Sequence, residues 1–292
     1  MSRFRFIDAE KAAYPLTRLC RSVGVSRAGY YAWTHRPRSQ RSQDDAALKE
    51  TIRSIHAKSR QTYGSPRVHA ALCAQGTRVS RKRVVRLMRC AGLRGCRVRR
   101  TLRTTVQDPA ATPAPNLVQR QFDVGELDRV WVTDITYLPT NEGWLYLAAM
   151  LDGCSRRVVG WAMADHLRTD LALEALDLAL RERRPAANRL IHHSDRGCQY
   201  TAAAYQAVLA TQGIHCSMSR TGNCLDNAMA ESFNATLKKE LLPTGGWPTK
   251  AAARAAVFEW IAVYYNRQRL HSSLGYRTPV GFEISKGHAL AA

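Results

Sequence analysis

The stretch RVWVTDITYL, residues 129–138, reads as a buried strand, because β-branched and aromatic residues run almost unbroken on both sides of one acid, Asp134. An ionised carboxylate among such neighbours is costly unless something pairs with it. Two more acids stand in informative places. RLIHHSD (189–195) is a second short apolar run that ends on Asp195, just before Arg196-Gly197. DNAMAESFNATLKKE (226–240) has helical periodicity and carries Glu231. Sixty residues lie between Asp134 and Asp195, and 35 between Asp195 and Glu231. Two acids at strand positions and one on a helix can converge on a pair of divalent cations, which clamp the attacking and leaving oxygens of a phosphodiester exchange. Mg²⁺, or Mn²⁺ in its place, suits such a site because Mg²⁺ takes few carboxylates and leaves its other positions to water and phosphate. Spacing alone decides little among 23 acidic residues, since an Asp at a strand end is ordinarily a turn residue. The apolar setting of Asp134 is what raises the trio above that.

The helix around Glu231 adds to it. Asn227, Glu231, Asn234 and Lys238 fall at i, i+4, i+7 and i+11 on one face, beside an apolar stripe of Ala230, Phe233 and Leu237. One acid, two amides and a lysine on a single face suggest a nucleic-acid contact surface next to a metal ligand.

Charge is unevenly placed. Residues 1–107 hold 25 Lys+Arg against 5 Asp+Glu, whereas residues 108–292 hold 19 against 18, within a net charge of +21. No acid occurs between Glu50 and Asp108. Leu72, Val79, Val84, Leu87, Met88 and Leu93 interleave this basic stretch, so it folds rather than forming a solvated tail. A folded domain without acids is best explained by a phosphate backbone as its partner. No long apolar span or lipidation signal supports a membrane instead. The eight cysteines include no Cys-x-x-Cys pair, and no secretory signal opens the chain. These features predict a reducing cytoplasm and no structural zinc, with Cys90 and Cys96 as packing residues beside a helix end.

In residues 14–34, a helix, a Gly24-Val-Ser turn and a second helix capped by Ser26 form a helix-turn-helix pattern. A second pair follows. Helix 66–75 is broken by Gly76, and Ser80 caps a basic helix to about Cys90, with Gly92 as its stop. Arg81, Lys82, Arg83, Arg86 and Arg89 decorate that helix and are candidate DNA contacts. Residues 105–117 carry three prolines and no aromatic residue, which predicts an extended linker. The expected division is therefore 1–40, an N-terminal helix-turn-helix segment; 41–104, a basic helical DNA-binding domain; 105–117, a linker; 118–285, a catalytic core ending in a helix; and 286–292, a tail. Within the core, strands 130–138, 144–151 and 157–163 form an antiparallel meander. Helix 168–183, strand 189–194, helix 199–211, strand 214–218, the Glu231 helix and a last helix at about 249–266 follow. This order describes an α/β fold of ribonuclease-H-like type, with a mixed five-stranded sheet preceded by an all-α helix-turn-helix region.

Several longer motifs are more specific. They are GVSRAGYYAW (24–33), YGSPRVHAAL (63–72), WVTDITYLP (131–139), HHSDRGCQYT (192–201), SRTGNCLDNAMAESFNATLKKE (219–240) and YYNRQRLHSSLGYRTP (264–279). In these motifs and their order the chain resembles the OrfB products of bacterial insertion sequences of the IS-three family, within the retroviral-integrase-like DDE transposases. The resemblance covers nearly the whole chain. It implies that Asp134, Asp195 and Glu231 are catalytic acids and ligands of two metal ions. It also implies that Lys238, seven positions after the glutamate, touches the terminal phosphate or a base edge of DNA. The implied reaction nicks the element's end with water at a site bridged by Asp134, and the released 3′-hydroxyl then attacks another phosphodiester in line. Implied partners are double-stranded DNA (the element ends and the target), further copies of the chain in a synaptic complex, and an upstream OrfA protein or a frameshift fusion with it.

Weaker candidates are Asp152, at an Asp-Gly turn, and His193, on the strand leading to Asp195, either near the metals or a hydrogen-bonded core residue. Arg267, Arg269 and His271, after the last helix, are placed to bind backbone phosphate or to cap that helix. The other tryptophans and tyrosines are expected mostly in the core. Two other function classes fit part of the pattern. One is a non-catalytic helix-turn-helix regulator with an inert integrase-like domain, against which the intact acid trio speaks. The other is a hybrid nuclease, which needs no pair of basic helical hairpins.

Overall fold

The structure, a computed structural model, describes residues 3–37, 39–96, 114–122, 124–220 and 224–287. These fall into two compact units, Met1–Ser54 and Ile55–Ala292. In the first, helices α1 (Arg3–Glu10), α2 (Leu16–Ser22) and α3 (Arg27–Thr34) enclose Ile7, Leu19, Cys20 and Tyr30. The turn expected before α3 is present. Gly24 takes φ +66°, and Ser26 Oγ accepts the Gly29 amide at 3.0 Å. A long helix, α4 (Gln40–Lys58), contains the boundary between the units.

The second unit opens with α5 (Ser65–Ala74) and α6 (Arg81–Cys90), joined through Gly76 at φ +79° and capped by Ser80. Val84, Leu87 and Met88 of α6 are buried, as are Val68 and Leu72 of α5, so Arg81, Lys82, Arg86 and Arg89 are left exposed. This hairpin touches the C-terminal part of the same unit directly. The Leu270 amide donates to Tyr63 Oη at 2.7 Å, Arg67 Nε donates to Leu270 O at 2.9 Å, and Thr62 Oγ1 lies 3.3 Å from Tyr264 Oη. Local helical patterning gave no sign of these contacts, which join residues about two hundred positions apart. Residues 105–113 of the expected linker, and 97–104 of the basic segment, lie outside the described residues. The linker's last residues are tied down, with the Leu117 amide on Ser217 Oγ at 2.9 Å and Asn116 Nδ2 on Asp226 at 3.0 Å.

The sheet has the order β3-β2-β1-β4-β5, with β1 (Val130–Thr140), β2 (Gly143–Asp152), β3 (Val158–Ala164), β4 (Ile191–Ser194) and β5 (His215–Met218). The first three strands pair antiparallel, and β1–β4 and β4–β5 pair parallel, which is the mixed five-stranded sheet expected. Val130, Val132 and Leu138 pack on one face with Phe233 and Leu237 of α10 (Ala228–Leu241) and Val257 of α11 (Lys250–Phe258). Trp131, Met150 and Val159 pack on the other, against α7 (Thr169–Arg183) and α9 (Ala203–Thr211). Gly160 lets α7 lie close, since a Cβ there would meet Ala175 O at 2.3 Å. By alternation along β1, Asp134 faces α10.

Some elements differ from expectation. Helix 199–211 is two pieces, α8 (Cys198–Thr201) and α9, separated by Ala202 in an extended conformation. The last long helix widens into a π-helical turn over Glu259–Tyr265. Cys90 and Cys96 are exposed rather than packed, because α6 turns Leu87 and Met88 inward and leaves its last residue in solvent. A short helix, α12 (Pro279–Ser285), closes the described chain. No helix among the described residues is long and apolar enough to cross a membrane.

Candidate active site

β4 pairs with β1 only from Val130 to Val132. From there to the Trp247 bridge at Thr140, β1 has no strand partner on this side among the described residues, and the carboxylates gather in that gap. Asp134 Oδ1 accepts the Ile135 amide and Oδ2 accepts Asn234 Nδ2 from α10, both at 2.9 Å. Asp195 follows the last residue of β4, and its Oδ1 accepts the Gly197 amide at 2.9 Å. Glu231 stands exposed in the first turn of α10. Burial first, then the charge of Asp195, pushes the Asp134 carboxyl up to about 7; Glu231 adds to the push, and the Ile135 and Asn234 hydrogen bonds oppose it. Burial also raises Asp195. Asp134 thus senses both other acids. The trio is open: among the described residues no three acid, histidine or cysteine side chains stand close enough to enclose an ion. A pair of ions sharing one carboxylate needs less convergence than a single cage, so the donor set fits that arrangement.

A polar brace joins the three acid-bearing elements. His193 on β4 lies 2.8 Å from Ser217 Oγ and 2.8 Å from Asp226 O. Asn227, at the start of α10, donates to Thr133 O at 3.0 Å. The fully buried Asp226 carboxylate takes Arg220 Nε at 2.9 Å, Arg120 Nε at 3.1 Å and Asn116 Nδ2 at 3.0 Å. Arg220 foremost holds it well below the usual carboxylate range. Sequence reading passed over Asp226, although it opens the Glu231 motif, because its partners come from segments up to 110 residues away.

The sequence candidates separate accordingly. Asn227 and Asn234, expected to touch nucleic acid, are buried and spend their amides on Thr133 O and Asp134. They support the site from behind. Arg269 is corrected too. It is buried, and Nη2 and Nε grip Glu240 at 2.8 and 2.9 Å, so it does not reach a phosphate. Arg267 is exposed. Lys238 is half-buried on α10; burial lowers its pKa, while the charge of Asp134 pulls it up. The neighbouring Lys239 has its amino group buried with no hydrogen-bond partner among the described residues. His193 is a hydrogen-bonded core histidine, and Asp152 accepts the Ser155 amide at 2.7 Å and the Asp128 amide at 2.7 Å as a turn residue does.

Comparison with known proteins fits this layout. Residues 126–224 and 212–279 match models of the integrase core domain, and residues 42–101 match an HTH-like domain. The chain is 42% identical over 275 residues to the insertion element IS600 uncharacterized 31 kDa protein of Shigella sonnei, covering 94% of this chain and 100% of that one. It is 36% identical over 283 residues to transposase InsF for insertion sequence IS3fB of Escherichia coli K12, covering 96% and 98%. Among solved structures it is similar, at 17% identity and TM-score 0.45, to a simian T-cell lymphotropic virus intasome in complex with PP2A regulatory subunit B56 gamma, over 78% of this chain and 73% of that one. The chain belongs to the IS3-type family of insertion-sequence transposases.

Proposed function

We propose that this transposase-family chain cuts DNA at the ends of an insertion sequence and joins the cut strand to a new phosphodiester, with Asp134, Asp195 and Glu231 as ligands of two Mg²⁺ or Mn²⁺ ions. The supporting observation is the crowding of like charge at Asp134, a partly buried carboxylate facing two others. Divalent ions held by these three carboxylates would supply the missing positive charge and Lewis acidity toward a phosphodiester. The chain's own groups do the positioning. Ile135 and Asn234 each hold one oxygen of Asp134, fixing its rotamer, and Gly197 holds one oxygen of Asp195. The brace of His193, Asp226 and Asn227 keeps β1, β4 and α10 in register. Nicking of a duplex that carries the element's terminal repeat, in Mn²⁺, tests this. Tight binding without nicking returns the chain to the regulator reading. Pairing of two ends calls for further copies of the chain, and an upstream OrfA protein, or fusion with it, completes the proposed assembly.

Lys238→Ala should slow nicking of a correct end more than it weakens non-specific binding. Lys238 stands about 10 Å along the helix axis from Glu231 at 1.5 Å per residue, where its ammonium can meet the terminal phosphate but cannot ligate a metal. Lys239→Ala should leave nicking almost unchanged, because that amino group is turned into the protein. Equal losses for the two variants would overturn the facing of α10.

The exposed side chains of α6 give a second expectation. Replacing Arg81, Lys82, Arg86 and Arg89 by Gln should flatten the slope of log K against log salt by about 0.9 for each phosphate contact removed. Binding isotherms at several salt concentrations measure this, and an unchanged slope removes α6 from the interface.

A further inference from the structure

Between Val132 and the Trp247 bridge at Thr140, the only strand beside β1 among the described residues is β2. On the face opposite Asp134, alternation aligns Tyr137 of β1 with Tyr146 and Trp144 of β2. Tyr137 stands directly across from Tyr146 and diagonal to Trp144. The Tyr137 ring meets Tyr146 edge-on at 5.1 Å and Trp144 edge-on at 6.1 Å. Tyr146 is half-covered, but Tyr137 is 45% exposed and Trp144 52%, whereas Trp131, Trp247 and Trp260 are buried. Tyr137 and Trp144 are among the exceptions to the mostly core placement expected of tyrosines and tryptophans.

The hairpin that carries the two rings is braced. The Asn141 amide donates to Trp247 O at 2.9 Å, and the Trp247 amide donates to Pro139 O at 3.1 Å. Gly246, at φ +88°, makes that approach possible, because a Cβ there would stand 2.7 Å from Pro139 O. The rings therefore sit on a fixed support, which reduces the ordering cost of any ligand that lands on them.

Their position relative to the acids says what that ligand is. Three strand residues, at about 3.3 Å each, put Tyr137 about 10 Å along β1 from Asp134. That span matches about three nucleotides at about 3.4 Å per step of one strand. The Tyr137 phenol lies within the field of the site: burial first, and the charges of Tyr146, Asp134 and Asp195, raise its pKa. Tyr137 borders, from the other face, the open edge of β1 at which the acids gather. A DNA strand rounding that edge to Asp134 would therefore pass the rings, and an aromatic ring accepts the π-face of any base regardless of sequence.

We propose that Tyr137 and Trp144 form a stacking ledge for an unpaired nucleobase of the DNA strand held at Asp134. The inference rests on the acid trio being the site of strand cleavage. The ledge captures a base that has left its pair near the cut and so offsets part of the cost of opening the end. The rings' plainer role, steadying the hairpin as a cross-strand pair, does not distinguish paired from unpaired DNA.

The test uses the full chain and the element's terminal repeat with 2-aminopurine in its last positions, as a paired duplex and with those positions mismatched. With the wild type, binding should quench the 2-aminopurine signal; with Trp144→Ala it should not, and Trp144→Phe should retain much of the quenching. Trp144→Ala or Tyr137→Ala should slow nicking of the paired end about tenfold, which corresponds to about 1.4 kcal/mol, and mismatching should restore most of the loss. Unchanged quenching in Trp144→Ala, or equal losses on paired and mismatched ends, overturns the ledge. If the wild type binds but nicks neither substrate, the reading of the acids fails, and the quenching comparison alone then decides the ledge.

Discussion

Asp134→Asn should abolish strand cleavage and, at the same time, stabilise the metal-free protein at alkaline pH. Loss of a metal ligand's charge should exceed the roughly 10–100-fold effect typical of an outer partner such as Asn234, and Asp195→Asn and Glu231→Gln should behave alike in cleavage. Nicking at the wild-type rate by any one of them removes that residue from the site. The stability effect follows from the raised pKa. A carboxyl ordinarily near 3.8 that folds at about 7 binds its proton more tightly in the folded state. The folded protein is thus favoured while Asp134 is protonated, and loses stability as pH rises through about 7. The difference between 3.8 and about 7 corresponds to about 4 kcal/mol. The substitution forgoes one acceptor, at about 1–3 kcal/mol, although the buried Asn234 Oδ1, without a partner among the described residues, can take up the new amide if its side chain flips. A net gain of about 1–3 kcal/mol at pH 8, absent at pH 5, should appear in urea unfolding without metal. Loss of stability at pH 8 relative to the wild type would show that the acids do not repel one another as the geometry indicates. The same protonation predicts that more Mg²⁺ is needed for half-maximal nicking at pH 6 than at pH 8.

Glu283→Ala should destabilise the second unit by about 3–5 kcal/mol, a large share of the about 5–15 kcal/mol typical of a folded domain. Glu283, on α12, is fully buried. It accepts Arg157 Nη1 at 2.7 Å, Arg183 Nη1 at 2.9 Å and Ser155 Oγ at 2.7 Å. Arg183 is itself buried and also grips Asp128 at 2.8 Å. Removing the acid strands this guanidinium with a single partner in a dry setting, which costs more than the pair contributes. Burial alone would raise the Glu283 pKa, but Arg183, Arg157 and Ser155 hold it below the usual glutamate value. Its stabilisation is accordingly present above that usual value and lost as pH falls through the lowered one. Denaturant melts of Glu283→Ala and wild type at pH 7 measure the effect, and a difference under about 1 kcal/mol shows that the triad is not a structural anchor.

Local pattern made much of this protein legible. Ser26 and Ser80 announced two helix starts because N-capping depends on residues three apart. The alternation around Asp134, and that of the β2 and β3 stretches, announced the meander because side chains on a strand change face at every step. Spacing and motif together singled out Asp134, Asp195 and Glu231. Other features depended on partners far along the chain. The helical period placed Asn227, Asn234 and Lys238 on one face, but it could not say that the two amides are turned in toward Thr133 and Asp134 while the lysine stays half in solvent. Arg269 could be read as a phosphate ligand or a helix cap until Glu240 closed on it, and no pattern in the sequence singled out Tyr137 and Trp144 as exposed.

The sequence by itself determined which elements form and which acids are the candidates for the chemistry, because propensity, capping, periodicity and motif spacing are read along the chain. Only the tertiary structure decided which polar groups face DNA, which face each other, and how strongly Asp134 holds its proton. Burial, hydrogen-bond partnership and charge repulsion depend on distances between segments that lie scores of residues apart in the chain.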